Sequence, residues 1–381
     1  MVVVEALFWL CVAAIGWTHA GYPLVAAVLA RVRRREVRKA DILPRVVLIV
    51  AAYNEEAVIE RRLENLLALD YPADRLRIVV ASDASSDATD DLVRAVAARE
   101  PRVSLLTCPR GGKVAAQNLA VRNLAGDTEV LAFSDANCTW APDALRKLVR
   151  PLADPDVAYV CGKLSLLAAD GVNQEGAYWR YEMWLRANES AFRSVTGGNG
   201  SIYAVRSEDY VEVDSSMGHD LAFPYRMVQR GRRAVYEPTA VAYEKPSRDT
   251  EEEYRRKVRM FEHCWLIVMR GKMLRGLPPL YLVAILSHRH LRYLSGLLHI
   301  AALALNVAVV AVRPGYLLAW ATLAVQAAAL GLALLGRLRA PVPFAALAWY
   351  YTLVSWATTQ ALLNYLRRGV PPVWEKAAGT R

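Results

Sequence analysis

The sequence predicts an α/β domain built on a mostly parallel sheet, with apolar helices anchoring it in a membrane at both ends. Three observations carry that expectation. Between Arg45 and Trp140, short apolar runs alternate with amphipathic stretches, the pattern of strands joined by helical crossovers. Each run stops at or just before small, acidic, amide or basic residues. Beyond this region the chain is apolar over spanning lengths, with 55% of its 381 residues hydrophobic and a mean hydropathy of +0.16, high for a purely soluble enzyme.

Taken in order, Val2 to Ala30 is almost wholly apolar, with Trp9, Trp17 and Tyr22 along it. It exceeds the ~20 residues that span a bilayer, and no small-residue cleavage site follows, so an uncleaved anchor over 1–30 is expected. Pro23 either kinks this segment or ends the span. The basic run RVRRREVRK, Arg31 to Lys39, follows directly within a linker over 31–44. The excess behind the formal net charge of +10 is therefore local, which speaks for topology and against a nucleic-acid partner. The positive-inside rule then places residue 40 onward in the cytoplasm, at the inner membrane of the cell. Five scattered cysteines, Cys11, Cys108, Cys138, Cys161 and Cys264, show no CxxC or Cys/His spacing, which predicts free thiols in a reducing compartment.

Val46 to Ala51 reads as a strand, AYNEE as a turn, and Ala57 to Leu69 as a helix with Leu63, Leu66 and Leu67 on one face. Strands follow at Leu76 to Ala81 and Val103 to Leu106, and helices at Asp87 to Ala98 and Val114 to Leu124, the last introduced by RGGK. The fourth strand, VLAFSDANCTW from Val130, stops at Asp135 and Asn137. Open α/β sheets bind ligands at the carboxyl edge of their strands, so Asn54, Glu55, Asp83, Lys113, Asp135 and Asn137 should gather there. A carboxylate and an amide oxygen two residues apart on an extended chain suit a hard divalent cation, Mg2+ or Mn2+. An Asx turn capping the helix near Pro142 is the structural alternative. Gly111 and Gly112 allow backbone to approach a phosphate, with Lys113 as a point charge. No GxGxxG follows the first strand, which argues against a dinucleotide-dependent dehydrogenase.

Four segments in this order, VVLIVAAYNEEAVI, VVASDASSDAT, RGGKVAAQNLA and SDAN, resemble the nucleotide-sugar-binding half of family-two inverting glycosyltransferases with the GT-A fold. The resemblance covers roughly Arg45 to Asp143. It implies that Ala52, Tyr53, Asn54, Glu55 and Asp83 hold the nucleoside and that Lys113 lies near the diphosphate. Asp135 and Asn137 then stand at the metal-binding DxD, with a neutral amide in place of the second aspartate.

Residues 45–150 would form the nucleotide-sugar half and 151–250 the acceptor half. Val157 to Leu167 reads as a strand, Tyr178 to Phe192 as an aromatic amphipathic helix, and VTGGNGSIYAVR as a glycine-rich turn into a strand. In that turn Gly198, Asn199 and Gly200 can bring backbone close to an acceptor sugar. In SSMGHDLAFPYRMVQRG, Asp220 opens a helix, either as its N-cap or, as the resemblance implies, as the catalytic aspartate. His219, assigned to the acceptor side, stands where the family often has glutamate. Inverting transfer is one in-line displacement at the anomeric carbon, in which a base takes the acceptor proton while cations stabilise the leaving diphosphate. Asp220 is the expected base.

Glu251 to Arg270, EEEYRRKVRMFEHCWLIVMR, reads as a charged aromatic helix within an interfacial region over 251–290. Membrane-bound processive members of the family, similar to hyaluronan, cellulose and poly-N-acetylglucosamine synthases, carry QxxRW here. Arg256, Arg259 and Met260 hold the matching positions, which implies phosphate contacts for the arginines and an acceptor contact for Met260. Met260 cannot stack as tryptophan does. A helix lying on anionic lipid through Trp265 and Arg270 is the structural alternative.

Within 291–366, Leu294 to Val312, Tyr316 to Leu335 and Phe344 to Leu366 are apolar candidates of spanning length. The last is the most polar, and a crossing would place Arg367 and Arg368 outside, so it reads as re-entrant or interfacial. The end of the chain, in a tail over 367–381, resembles the ends of related membrane transferases. The expected protein is a membrane-integrated, cytoplasm-facing transferase that moves a sugar from a nucleotide-diphospho-sugar, first a UDP-sugar, to a glycan or lipid-linked acceptor, with a polysaccharide or a lipid-linked glycan as product. A single-sugar transferase acting on a membrane lipid, and a noncatalytic scaffold with a degenerate nucleotide-binding fold, are the competing readings.

Overall fold

The structure is a computed structural model that describes residues 2–124, 126–166, 175–245 and 250–370; the end of the tail, 371–381, lies outside the described residues. Helix α1 (Val2–Gly16) continues through a π-helical turn, Trp17–Gly21, into α2 (Tyr22–Val32). Pro23 therefore does not end the span. It sits in the first turn of α2, where a missing N–H leaves no acceptor unsatisfied, and the irregular turn lies just before it.

Strands β1 (Val46–Ala52), β2 (Leu76–Asp83), β3 (Val103–Cys108) and β4 (Val130–Asp135) alternate with helices α3 (Ile59–Leu67), α4 (Thr89–Ala97) and α5 (Lys113–Arg122). The second half adds β5 (Thr139–Trp140), α6 (Ala144–Val149), β6 (Val157–Leu166), α7 (Glu175–Phe192), β7 (Tyr203–Arg206), α8 (His219–Gln229) and β8 (Arg233–Glu244). The expected elements are present, with ends shifted by less than a turn. β1 and β4 are buried along nearly their whole length, as apolar runs covered on both faces of a parallel sheet must be. The strands form one sheet in the order β3-β2-β1-β4-β7-β6-β8-β5. β1, β2, β3 and β4 pair in parallel, β7 runs antiparallel to both β4 and β6, and β8 runs parallel to β6.

Strand β8 has no counterpart in the sequence reading. Pro238 interrupts its pattern, and the pairing with β6 jumps there from Gly162 opposite Glu237 to Lys163 opposite Val241. Such a bulge leaves a residue outside the ladder, where proline costs no hydrogen bond.

The chain then runs through α9 (Thr250–Arg270), α10 (Pro279–Ile285), a second π-helical turn at Leu286–His290 and α11 (Leu291–Tyr293) to α12 (Ser295–Val312), α13 (Leu317–Arg337) and α14 (Ala345–Arg368). The two π turns meet: the Trp17 indole donates to Ser287 Oγ at 2.8 Å and the Thr18 hydroxyl to the Ser287 carbonyl at 2.6 Å. Among the described residues three helical stretches are long and apolar enough to cross a membrane: Val2–Val32, Ser295–Val312 and Leu317–Arg337. α14 is not one of them. Its Tyr350, Leu353, Val354, Ala357 and Ala361 belong to the same core cluster as Phe261 and Trp265 of α9, and near its end Asn364 donates to Glu262 at 2.6 Å.

That packing corrects one part of the alternative reading of α9, the lipid contact through Trp265. Trp265 is buried, donating its indole N–H to the Thr358 carbonyl at 2.9 Å, so it is not a lipid anchor. The basic linker is also engaged with the domain, since Lys39 pairs with the buried Glu237 at 2.6 Å. All five cysteines are free thiols.

Candidate active site

Strand register gathers the motif ends. Ala51 stands opposite Asp135, Ala52 opposite Ser82, and Asp83 opposite Cys108. Beyond them opens a cavity of about 510 Å³. At one end it is lined by Ala52, Tyr53, Glu55 and Asp83. The buried Asp83 carboxylate accepts the backbone N–H of Gly111 at 2.7 Å and of Gly112 at 3.0 Å, and pairs with Arg110. The Arg110 guanidinium also lies over the Tyr53 ring, 3.4 Å from its centroid. An aromatic face beside an oriented carboxylate can stack a nucleobase and bond its edge. Sequence reasoning gives Arg110 no role, although it opens the RGGK segment.

Asn54 does not line this cavity. It adopts a left-handed conformation with φ of 52°, which asparagine tolerates, and its Oδ1 accepts the Ser86 N–H at 2.8 Å while its own N–H donates to Ser85 Oγ at 3.1 Å. It fastens the loop after β1 to the loop after β2. Glu55 is likewise held by its backbone, with its N–H donating to Thr89 Oγ1 at 2.7 Å.

In the middle of the cavity the Lys113 ammonium pairs with Asp135 Oδ1 and reaches the Gly200 carbonyl at 3.3 Å, while Ser201 Oγ donates to Asp135 Oδ2 at 3.1 Å. Burial disfavours the Lys113 cation, but the Asp135 carboxylate more than offsets this and raises its pKa. Asn137 donates its amide N–H to Glu244 Oε1 at 3.2 Å. Glu244, at the end of β8, also lines the cavity, and burial, followed by the Asp135 charge, pushes its carboxyl upward.

No group of three His, Cys, Asp or Glu side chains is placed to hold a metal among the described residues. The donors present are oxygens: the Asp135 carboxylate, the Glu244 carboxyl that burial and the Asp135 charge push upward, and the Asn137 amide. That set fits a hard divalent cation, which would relieve the repulsion. Glu244 escaped the sequence reading because β8 did, although the same rule of a carboxylate at a strand end applies to it. Arg256, Arg259 and Met260 of α9 line the same cavity, Arg256 pairing with Glu253 at 2.9 Å.

At the third position stands Asp220. It is the second residue of α8, whose N-cap is Gly218, so the N-cap reading of Asp220 is corrected. The Gly198 N–H donates to the Asp220 carbonyl at 2.5 Å. A Cβ on Gly198 would stand 1.9 Å from the Tyr159 hydroxyl, so this close approach needs glycine. Asn199 shapes the loop, its Oδ1 accepting the Ser201 N–H at 3.1 Å. Gly200 lets the backbone lie between Lys113 and Asp220, since a Cβ there would be 3.3 Å from Lys113 Nζ and 4.0 Å from Asp220 Cβ.

His219 borders the cavity, but its ring is packed edge-on against Phe133, Tyr203, Tyr210 and Phe223, and its Nδ1 bonds the Tyr203 hydroxyl at 2.7 Å. At 4% exposure it is a core residue, which corrects its assignment to the acceptor. Burial, then Lys113, lower its pKa from 6.5 to about 3. Between those values the unfolded chain binds a proton that the folded chain does not, so stability rises with pH across this window and is lost as pH falls. His219→Phe is expected to flatten that dependence, measured as urea midpoints at about pH 7 and about pH 5, although loss of the Tyr203 bond costs about 1 kcal/mol at neutral pH. An unchanged slope would mean that the imidazole is protonated in the fold.

With this geometry in place, residues 47–207 match the sequence model of glycosyl transferase family 2. An N-acetylglucosaminyltransferase of Bradyrhizobium elkanii is 34% identical over 128 residues, covering 32% of this chain and 68% of that relative. The chain belongs to glycosyl transferase family 2. Another relative within the matches, the beta-monoglucosyldiacylglycerol synthase of Synechocystis sp., is 32% identical over 162 residues, which cover 42% of this chain and 33% of the synthase. The chain spans a third to a half of the length of the curated relatives first matched. This family-two chain also aligns along 96% of its length with 99% of the mannosyltransferase PcManGT from Pyrobaculum calidifontis, solved with GDP-mannose and Mn2+, at a TM-score of 0.74 and 26% identity. The mostly parallel GT-A architecture expected from the strand pattern is thus the observed one, and it extends to the apolar helices at both ends.

Proposed function

We propose that the protein is an inverting glycosyltransferase that moves a sugar from a nucleotide-diphospho-sugar to an acceptor hydroxyl presented at the cytoplasmic face of the inner membrane. One observation carries this reading. A single cavity holds the Tyr53–Asp83 end, the Lys113–Asp135 centre, Asp220, and the membrane-side residues His19, Ser295 and Tyr351. Tyr53 and Asp83 would hold the nucleoside, while Lys113, Arg256 and Arg259 would meet the diphosphate. Asp135, Asn137 and Glu244 would hold Mg2+ or Mn2+, whose chemistry is to offset charge on the departing diphosphate. Asp220 takes the acceptor proton as the acceptor oxygen bonds to the anomeric carbon; the bond from that carbon to phosphate breaks and its electron pair leaves with the nucleoside diphosphate.

The acceptor assignment follows the cavity's reach. Met260 offers no tryptophan-like platform for a growing polysaccharide, and the cavity runs to the apolar helices, which favours single transfer to a lipid-linked acceptor. The basic segment Arg31 to Lys39 sets the cytoplasmic orientation. The test is hydrolysis and transfer by the full chain in membranes with Mn2+, screened over UDP- and GDP-sugars because PcManGT was solved with GDP-mannose. Nucleoside diphosphate release with at least one donor and label in the lipid fraction is the expected result. Absence of release with every donor would sink the enzyme reading in favour of a scaffold.

A further inference from the structure

Helix α7 carries Glu182, Arg186 and Glu189 at helical spacing, so all three lie on one face. Glu189 and Arg186 are buried. Facing them are His288, Arg289 and Arg292, on and beside the second π turn. The two carboxylates are already engaged. Glu182 pairs with Arg292 and meets His288 Nε2 at 3.2 Å, while Glu189 meets His288 Nδ1 at 2.7 Å and accepts the Tyr22 hydroxyl at 2.7 Å.

Two guanidinium groups remain at this inner end of the cavity. Arg289 donates Nε to the Thr196 carbonyl and hydroxyl at 3.2 and 3.1 Å and shares a bond with Tyr293. Arg186 touches Met183 Sδ at 3.7 Å and lies over the Tyr236 ring. Neither has a carboxylate within ion-pair distance among the described residues, and both line the cavity. Glu189 and Glu182 act on Arg289 through space, but three guanidiniums, Arg186, Arg289 and Arg292, face these two carboxylates, and an excess of cation held out of water favours an anion in the cavity.

Position decides which anion. Arg289 is packed on the backbone of Gly197, where a Cβ would stand 2.4 Å from its Nη2, next to the Gly198 that bonds Asp220. Lys113 and Asp135 lie on the Gly200 side of the same loop. The loop thus divides the cavity's positive charge into two poles with Asp220 between them. On the far side the cavity wall is His19 of the first membrane helix, Ser295 of α12 and Tyr351 of α14, so whatever reaches the second pole from there comes from among apolar helices.

We infer that the acceptor is a lipid bearing a phosphate between its apolar tail and its hydroxyl-carrying headgroup, with the phosphate oxygens held by Arg289 and Arg186. This rests on the proposed transferase reading and names its acceptor class. A neutral glycerolipid would leave the excess positive charge of this pole unanswered. The phosphate anchors the headgroup so that its hydroxyl faces Asp220, and the guanidinium fork suits bidentate contact with phosphate oxygens.

The test uses the full chain in neutral detergent micelles with Mn2+, both without nucleotide and with saturating nucleoside diphosphate, titrated calorimetrically with dihexanoyl phosphatidylglycerol and with dihexanoylglycerol. The phosphate-bearing lipid should bind about tenfold or more tightly than the neutral one. Arg289→Gln should remove most of that preference and Arg289→Lys retain part of it, with nucleotide affinity unchanged in both. Equal binding of the two lipids overturns the inference, as does a preference that survives both Arg289→Gln and Arg186→Gln. Competition between nucleoside diphosphate and the phospholipid would assign the arginines to the donor and overturn it too. Displacement by inorganic phosphate at concentrations matching the lipid's would mean a free-anion site and overturn the lipid assignment. Failure of the wild type to bind nucleotide would count against the transferase reading alone, because the lipid titrations are read without nucleotide as well.

Discussion

Asp135→Ala is expected to abolish metal-dependent sugar transfer while leaving the chain folded. The carboxylate stands at the end of β4, with about a quarter of its side chain exposed, 29%, and contributes no apolar area to the core. Its partner in the structure is Lys113, and a partly exposed ion pair is worth about 0–1 kcal/mol. That is small beside the buried Leu131 and Phe133 of the same strand, each contributing ~1.5–3 kcal/mol. The functional loss has a different scale. Losing a preorganised electrostatic contact to a developing charge costs about 10²–10³ in rate, and without Asp135 the donor set falls to one carboxylate and one amide. Transfer, Mn2+ affinity by electron paramagnetic resonance, and the thermal midpoint would be measured on the same preparation. Wild-type transfer, or unchanged Mn2+ affinity, would remove Asp135 from the metal site.

Why Asp135 could be found from the sequence, and Arg289 could not, is a matter of distance along the chain. The strands β1, β2 and β4 are apolar runs that end sharply, and a parallel sheet aligns such ends by its register, so Asp83, Lys113 and Asp135 were legible as one edge. Asp220 was legible only through the family resemblance, because an acidic residue in a helix's first turn has a structural reading that sequence cannot dismiss. Once α8 is seen to start after Gly218, with no side-chain cap, that reading is gone. The inner pole was illegible for another reason. His288 meets Glu182 and Glu189 across a separation of 106 and 99 residues, and nothing local in either segment announces the other. The same holds for α14, which its polarity and the flanking arginines marked as re-entrant or interfacial but whose buried face is matched to α9. His219 shows the converse error: its neighbour's role made it look like an acceptor contact, while the aromatic residues that enclose it come from β4, β7 and the segment after β7 as well as from α8.

Asp220→Asn is expected to lower transfer by ~10²–10⁴-fold, the usual worth of general-base assistance, with nucleoside diphosphate affinity nearly intact. The substitution is isosteric and leaves the Asp220 carbonyl free to accept the Gly198 N–H as before. Its structural cost is limited to the loss of one negative charge in the first turn of α8, about 0.3–1 kcal/mol of interaction with the helix dipole, which does not unfold a chain with this core. The amide cannot accept a proton from the acceptor, so catalysis falls although the shape of the site is kept. A charge in the donor site would behave otherwise: removing it would change nucleotide affinity first. Calorimetric nucleotide affinity and sugar transfer, measured for wild type and Asp220→Asn at one Mn2+ concentration, separate these cases. Near-normal transfer would show that Asp220 is not the base. Loss of nucleotide binding would move it to the donor pole beside Lys113, and the base would then be sought at Glu182, which also lines the cavity.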